Sequence, residues 1–280
     1  MMTKSEIHDR VYACQNDLEL EQFIKLRINE LEENSKEIYV GQNHSDVFDG
    51  FISSKVHFKP GIELGKEKEC TDLRYDDYSV YLELVTRLKK QADFYNERYM
   101  LSPMFWIIHE YFPADDLFGR YFVYLNGLEK GYVSMKDIQE GRCGFCSERA
   151  GLAHNMFKLL GMDSLLISGV RNDEPHAYNI VFPNGYDTEP IILFDSANFI
   201  SFQDSDNKKY SFAYYIKLTK DEYECLKTGE KVQLNIADSV ENHRKMYAHV
   251  LSDAVGDNDS PVYKITVPNT LNNNENNIKF

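Results

Sequence analysis

The chain of 280 residues lacks three features that would define its class at once. It has no run of about 18 apolar residues, so we expect no membrane span. Residues 1–9 lack the apolar segment of a conventional signal peptide. Positive charge is not in excess either, because 31 Lys and Arg residues stand against 45 Asp and Glu residues, a formal net charge of −14. Since phosphate binding needs a basic surface, we expect no nucleic-acid partner.

Cysteine is also scarce, with five residues at positions 14, 70, 143, 146 and 225. An odd, scattered set is not a disulfide framework and is typical of a reducing compartment, so we predict a cytoplasmic protein. Delivery by a secretion route that needs no signal peptide would look the same in sequence. The 42% hydrophobic and 27% charged residues are typical of a globular protein.

The spacing of apolar residues predicts an α+β fold. Helical periodicity covers residues 17–34, 77–96, 104–111 and 115–127, and a capping box formed by Ser134 and Asp137 predicts a short helix that ends at Gly141. Strand patterns then follow at 165–167, 176–182, 191–195, 210–218 and 262–267. We divide the chain into a mainly helical region at 1–100, a second domain at 101–268 and an Asn-rich, disordered tail at 269–280.

The stretch from Gly141 to Gly169 is the most informative part of the chain. Two cysteines, Cys143 and Cys146, precede an apolar stripe with helical period, and Gly161 stands where a helix would end. Cys146 is therefore predicted at a helix N-terminus, where unpaired N–H groups and the helix dipole stabilise an anion such as a thiolate. We interpret Cys146 as a nucleophile.

A nucleophilic cysteine needs a base, and the base needs an orienting acceptor. His176 and Asp195 lie in two predicted strands on either side of an Asn184-Gly185 turn. With a two-residue turn, His176 pairs with Leu193 and Asp195 lies on the diagonal; with a loop two residues longer, His176 lies opposite Asp195. In both registers the two side chains share one sheet face. Further residues of that face are expected to support the Cys146 helix, namely Tyr178, Ile180, Leu193 and Ile191.

These residues together resemble the transglutaminase-like superfamily. The resemblance covers roughly residues 130–200 and runs through Gly144-Phe-Cys146-Ser-Glu-Arg-Ala150, Leu160-Gly161, Gly169, His176-Ala-Tyr-Asn179 and Phe194-Asp195. It departs from the family pattern at Tyr178, where Trp is usual, and after Asp195, where Ser-Ala-Asn replaces Thr-Trp. Asp187 is a poorer substitute for Asp195, because it lies in the turn.

The resemblance implies a papain-like core, in which a helix bearing Cys packs on an antiparallel sheet bearing His and Asp. It implies that Cys146 is the nucleophile, His176 the general base and acid, and Asp195 the residue that orients His176. The implied reaction is acyl transfer from an amide of a protein or peptide through a thioester, to water or to an amine co-substrate. We expect this transglutaminase, deamidase or cysteine protease chemistry to need no metal and no cofactor.

Two points stay open from sequence. The Cys146 N–H is the natural first oxyanion donor, and either Gln139 or the indole of Trp106 is a candidate for the second. Alternative interpretations are a non-catalytic protein-binding domain that retains the fold, a Cys143–Cys146 redox dithiol, and a zinc site completed by Cys225 and His243.

Overall fold

The computed structural model describes residues 4–34, 47–52, 56–58, 71–92, 100–114, 116–186, 188–236, 240–241, 243, 245, 255–256 and 261–265. The tail predicted at 269–280, together with Cys70 and Asp187, lies outside these residues. Among the described residues, each helix is too short or too polar to cross a lipid bilayer.

Most of the described helices lie where the sequence predicts helices, but the first one was not predicted. They are α1 (Lys4–Ala13), α2 (Asp17–Asn34), α3 (Tyr78–Ala92), α4 (Leu101–Tyr111), α5 (Leu117–Lys130), α6 (Met135–Glu140), α7 (Cys146–Leu159) and α8 (Lys220–Lys227). The capping box of Ser134 and Asp137 starts α6, and the helix is capped by Gly141 as predicted. The Ser102-Pro103 pair is typical of a helix start with Ser102 as the N-cap, but α4 begins one residue earlier, at Leu101, and Ser102 is buried in its first turn.

The strands form two sheets among the described residues. Strands β2 (Val56–Phe58), β3 (Thr71–Arg74) and β4 (Tyr132–Ser134) form a small one. The larger, eight-stranded sheet is antiparallel and contains β1 (Val47–Phe48), β5 (Asp163–Arg171), β6 (Glu174–Phe182), β7 (Ile191–Gln203), β8 (Lys209–Leu218), β9 (Val232–Gln233), β10 (Val255–Gly256) and β11 (Val262–Ile265). The chain therefore has the predicted α+β class.

The two strands that carry His176 and Asp195 pair in a register that sequence did not predict. The ladder between β6 and β7 joins Asn179 to Phe194 and Val181 to Ile192, so the next position outward sets Tyr178 beside Asp195. Both predicted registers are wrong, because the loop after Phe182 is longer than either allowed. The displacement is an even number of residues, and His176 and Asp195 therefore still belong to the same face of the sheet.

Helix α7 packs on the other face of this sheet. The Asn179 side chain donates to the Ala150 carbonyl at 3.0 Å, and the rings of Phe157 and Phe194 meet edge to face at 5.0 Å. Asn179 and Phe194 alternate with Tyr178 and Leu193, so the predicted support of the helix by Tyr178, Ile180, Leu193 and Ile191 is wrong. Helix α8 contacts the opposite face, that of Tyr178 and Ile180, where Tyr223 meets Phe182.

Elements on both sides of the predicted boundary at residue 100 contribute to one core. Strand β1 pairs with β5, and β3 pairs in parallel with β4. The Asn155 side chain of α7 donates to the Ile52 carbonyl and accepts from its N–H. The segment before residue 100 therefore buttresses helix α7, which carries the predicted nucleophile at its first residue.

Candidate active site

The sequence around Cys146 explains why a helix begins there. Glu148, in the third helical position, accepts a hydrogen bond from the Phe145 N–H at 2.8 Å and so satisfies one of the donors at the helix start. Cys146 is the first residue of the helix and is half-buried. Its side chain therefore lies at the positive end of the helix dipole, as predicted.

A buried ion pair anchors this first turn. The Arg120 guanidinium of α5 donates to both carboxylate oxygens of Glu148, each at 3.0 Å, and also to the Cys143 carbonyl at 2.8 Å. Both side chains are almost fully buried. Burial acts to raise the pKa of Glu148, but Arg120 and the hydrogen bonds to the carboxylate hold that pKa below its usual value. The loop before Cys146 is thereby tied to α5 by a permanent charge.

Two glycines of the family-like pattern stand where no side chain fits. A Cβ on Gly144 would lie 2.4 Å from the Phe112 Cβ, so this position before the nucleophile lets the loop pass close to the end of α4. A Cβ on Gly169 would lie 2.3 Å from the Lys264 carbonyl oxygen. Gly169 pairs directly with His176 across β5 and β6, and its small size allows β11 to approach the site.

An irregularity in β7 shapes the other half of the site. Between Phe194, which pairs with Tyr215, and Phe199, which pairs with Ala213, β7 has three more residues than β8. We call this segment, residues 195–198, the β7 bulge. Bulges of this kind re-aim side chains and interrupt pairing. The β6–β7 ladder ends at Asn179 and Phe194, so His176 and Asp195 lie beyond its last pair.

Asp195 is fully buried at the start of this bulge and binds four hydrogen-bond donors. Its Oδ2 atom accepts from His176 Nε2 at 2.8 Å, from Asn198 Nδ2 at 2.7 Å and from the Tyr263 hydroxyl at 2.8 Å. Its Oδ1 atom accepts from the Ala197 N–H at 3.0 Å. Burial acts to raise the pKa of Asp195, and these hydrogen bonds, led by that from His176, lower it. The carboxylate is therefore ionised and fixed in place.

His176 joins Asp195 to Cys146. Its Nε2 atom lies 2.8 Å from Asp195 Oδ2, and Cys146 is near enough to the ring to contribute to the pKa of His176. Burial acts to lower the pKa of His176, but the hydrogen bonds and charges of Asp195 and Cys146 raise it to about 10. The imidazole is therefore protonated at neutral pH and suited to stabilise a thiolate. The structure thus brings Cys146, His176 and Asp195 together, with a hydrogen bond between His176 and Asp195.

Neither candidate for the second oxyanion donor joins this chain among the described contacts. Gln139 lies near the end of α6 and is half-exposed. Trp106 packs on Phe199, just after the β7 bulge, with ring centroids 5.8 Å apart. Trp106 therefore belongs to an aromatic cluster with Phe105 and His109. Burial, followed by the charge of Arg149, lowers the pKa of His109 to about 4.

Cys143 and His154 both have structural surroundings. Cys143 is fully buried, and burial raises the pKa of its thiol to about 12, which makes it a poor partner in a redox dithiol. His154 is fixed between the Ser164 hydroxyl and the Gly50 carbonyl. Among the residues that the structure describes, no three His, Cys, Asp or Glu side chains are grouped to hold a metal ion.

Three residues of this site were missed from sequence. Asn198 and Tyr263 both donate to Asp195, and Arg149 donates from Nε to the Phe112 carbonyl at 2.7 Å while its Nη1 lies 3.5 Å from the Ser196 carbonyl. Arg149 follows Cys146 by three residues and so connects the first turn of α7 to the β7 bulge. Asn198 carried a signal, because it ends the Ser-Ala-Asn segment that departs from the family pattern.

Comparison of the chain with family models, with curated proteins and with solved structures found no match in any of the three.

Proposed function

We propose that the protein is a thiol acyltransferase or amidohydrolase of the transglutaminase-like type, with a papain-like core and a Cys146–His176–Asp195 triad. Its substrate is an amide carried by a protein or peptide. The observation that carries the proposal is the convergence of His176 on both Asp195 and Cys146, at the N-terminus of a helix. This arrangement unites a nucleophile, a base and an orienting carboxylate.

The proposed reaction begins with attack of the Cys146 thiolate on the amide carbonyl carbon, which forms a C–S bond and a tetrahedral oxyanion. The Cys146 N–H lies at the helix start and is the first donor for this oxyanion. The C–N bond then breaks, and the His176 imidazolium gives its proton to the leaving amine. Neutral His176 next takes a proton from water or from a second amine, and this nucleophile attacks the thioester carbonyl carbon. The C–S bond then breaks and restores the Cys146 thiolate.

The charges around Cys146 support the first step. Asp195 keeps His176 protonated, so the imidazolium can stabilise the Cys146 thiolate that attacks the amide. A charged imidazole beside the thiol is a property of sites that activate cysteine nucleophiles. Cys143, three residues earlier, is a thiol without such a partner and serves as an internal reference for reactivity.

The deciding experiment measures the rate of iodoacetamide alkylation at Cys146 and at Cys143 between pH 5 and 9, with each peptide identified by mass spectrometry. We expect Cys146 to react below pH 7 and Cys143 to remain unmodified. We expect His176→Ala to slow the Cys146 reaction at pH 7 by at least tenfold, because the imidazolium is lost. If Cys146 reacts no faster than a free thiol in both proteins, the proposal fails.

A second assay addresses the reaction itself. A glutamine-containing peptide is incubated with the protein and a fluorescent primary amine, and both the labelled peptide and released ammonia are measured. Amine incorporation identifies a transferase, and ammonia without incorporation identifies a hydrolase. Either product should disappear in Cys146→Ser and persist in Cys143→Ser, which retains the triad.

A further inference from the structure

We propose that Tyr263, in the C-terminal strand β11, is a positioning residue that holds the Asp195 carboxylate in the orientation His176 requires, and that Arg171 in turn fixes Tyr263. The inference deepens the proposed function and rests on it. It assigns a role in the site to the last described strand, which the sequence presents only as an addition to the sheet.

The contacts form a continuous chain across three strands. Arg171 Nε of β5 donates to the Tyr263 hydroxyl oxygen at 3.2 Å, and the Tyr263 hydroxyl donates to Asp195 Oδ2 at 2.8 Å. Arg171 and Tyr263 are directly paired in the β5–β11 ladder. The donor that reaches Asp195 is therefore held by a backbone register as well as by a side chain.

Burial and ring packing hold these hydrogen-bonded side chains in place. Tyr263 and Asp195 are both fully buried, and the Tyr263 ring packs edge to face on Tyr178 at a centroid distance of 5.0 Å. Tyr178 in turn stacks on His176, with 19° between the ring planes. Tyr263 thus contacts the carboxylate through its hydroxyl and supports the imidazole through the intervening ring.

The direction of each hydrogen bond specifies what Tyr263 does. Arg171 cannot lose its proton, so it occupies the Tyr263 oxygen as a donor and leaves the hydroxyl proton for Asp195. That proton stabilises the ionised carboxylate, and it competes for the same oxygen that His176 uses. Other titratable and charged groups that interact with Asp195 belong to neighbouring strands and to α7: His176, Tyr178, Tyr214, Arg171 and, beyond His176, Cys146.

The test compares Tyr263→Phe with Tyr81→Phe. The first variant removes only the hydroxyl that binds Asp195. The second removes an equally buried hydroxyl, which donates to the Tyr75 carbonyl far along the chain from the triad. The imidazole signal of His176, identified by its loss in His176→Ala, is followed by NMR through the acidic inflection that reports protonation of Asp195.

We expect Tyr263→Phe to move this inflection to higher pH by about one unit, the tenfold change expected when a hydrogen bond to a charged group is lost. Tyr81→Phe should leave it in place while lowering the melting temperature by a similar amount. Arg171→Met should shift the inflection in the same direction by less, and should add little to Tyr263→Phe in the double variant, because both act through one hydroxyl.

The inference is overturned if Tyr263→Phe and Tyr81→Phe give the same inflection. The pH of the NMR inflection does not depend on Cys146 reactivity. It therefore distinguishes failure of the proposed function from failure of the role of Tyr263. If Cys146 alkylation is independent of His176 while the inflection still moves, the proposed function fails and Tyr263 keeps its role beside Asp195. If alkylation depends on His176 and the inflection does not move, only the role of Tyr263 fails.

Discussion

Two buried ion pairs flank the first turn of α7, and they differ in whether the cation can lose its proton. Arg120 binds Glu148 on one side, and His176 binds Asp195 on the other. Both carboxylates have a lowered pKa despite burial. Arginine stays charged at any relevant pH, whereas histidine exchanges its proton, so the first pair is suited to hold the helix and the second to do chemistry.

The two ion pairs also contribute to stability over different pH ranges. A carboxylate with a lowered folded-state pKa contributes stability that is lost as pH falls through that pKa, and this applies to both pairs. Only His176, whose folded-state pKa is raised, adds a contribution that is lost as pH rises. Stability and reactivity should therefore respond separately to changes in the two pairs.

The largest effect on stability is expected from Arg120→Met. The change leaves the Glu148 carboxylate buried without its cation, which should lower the free energy of unfolding by about 3–5 kcal/mol. The matched control is Arg87→Met, since the Arg87–Glu110 pair is partly exposed, and it should cost less than about 1 kcal/mol. Urea unfolding measures the free energy of unfolding of both variants. An equal loss in the two would show that burial of the Arg120–Glu148 pair does not increase its contribution to stability.

Asp195→Asn should have the next largest effect, and on reactivity more than on stability. Without the carboxylate, the pKa of His176 loses its largest raising influence while burial still lowers it, so a smaller fraction of the imidazole is protonated at pH 7. The rate of Cys146 alkylation at pH 7 should fall about 30- to 100-fold, the range expected for a lost hydrogen bond between charged groups.

Asp204→Asn is the control for this change, because Asp204 also accepts backbone hydrogen bonds but lies in an exposed loop. Its alkylation rate should match that of the wild type. A similar rate in Asp195→Asn would mean that His176 does not depend on Asp195.

The pH dependence of stability should distinguish the two pairs next. The unfolded-state pKa of His176 is about 6.5 and its folded-state pKa is about 10, so its contribution is complete below pH 6.5 and is lost as pH rises to 10. The difference in the free energy of unfolding between wild type and His176→Gln should therefore shrink across this window, by up to about 1.4 kcal/mol per pH unit.

His154→Gln provides a contrast in the opposite direction. Burial lowers the pKa of His154 to about 3, so its contribution is present above pH 6.5 and is lost as pH falls. Its difference from wild type should stay constant between pH 7 and 10. An equally constant difference for His176→Gln would contradict the ion pair.

The sequence predicts those parts of the structure that depend on short-range patterns. The capping box at Ser134, the helix that starts at Cys146 and the strand order around His176 all follow from neighbouring residues. The strand register does not, because it depends on the length of the loop after Phe182. Alternation of side chains still places His176 and Asp195 on one face, since an even displacement leaves the face unchanged.

The partners of Asp195 are less accessible to sequence reasoning. Asn198 reaches the carboxylate because of the β7 bulge, and Tyr263 reaches it across β5, more than 60 residues further along the chain. Neither contact follows from helical or strand periodicity, because a bulge breaks the period and a distant strand pairs through tertiary structure. The face to which α7 docks was likewise mispredicted, since both faces of β6 are apolar near Ile180 and Val181.

The smallest effect is expected from Asn198→Ala, which tests how much of the second pair depends on the bulge. The Asn198 amide donates to Asp195 Oδ2 at 2.7 Å and lies 3.3 Å from His176 Nε2. The change therefore removes one of the three hydrogen-bond donors to that oxygen. His176 and Tyr263 still hold the carboxylate, and the alkylation rate of Cys146 at pH 7 should fall only about three- to tenfold.

The control for Asn198→Ala is Asn184→Ala, which removes an amide that donates to the Glu189 carbonyl in an exposed loop and should leave the rate unchanged. A decrease in Asn198→Ala as large as that in Asp195→Asn would assign the orientation of His176 to the amide as much as to the carboxylate. The β7 bulge would then provide two orienting groups of equal weight, Asp195 and Asn198. The functional difference from the Arg120–Glu148 pair would then depend on the whole segment 195–198 and not on Asp195 alone.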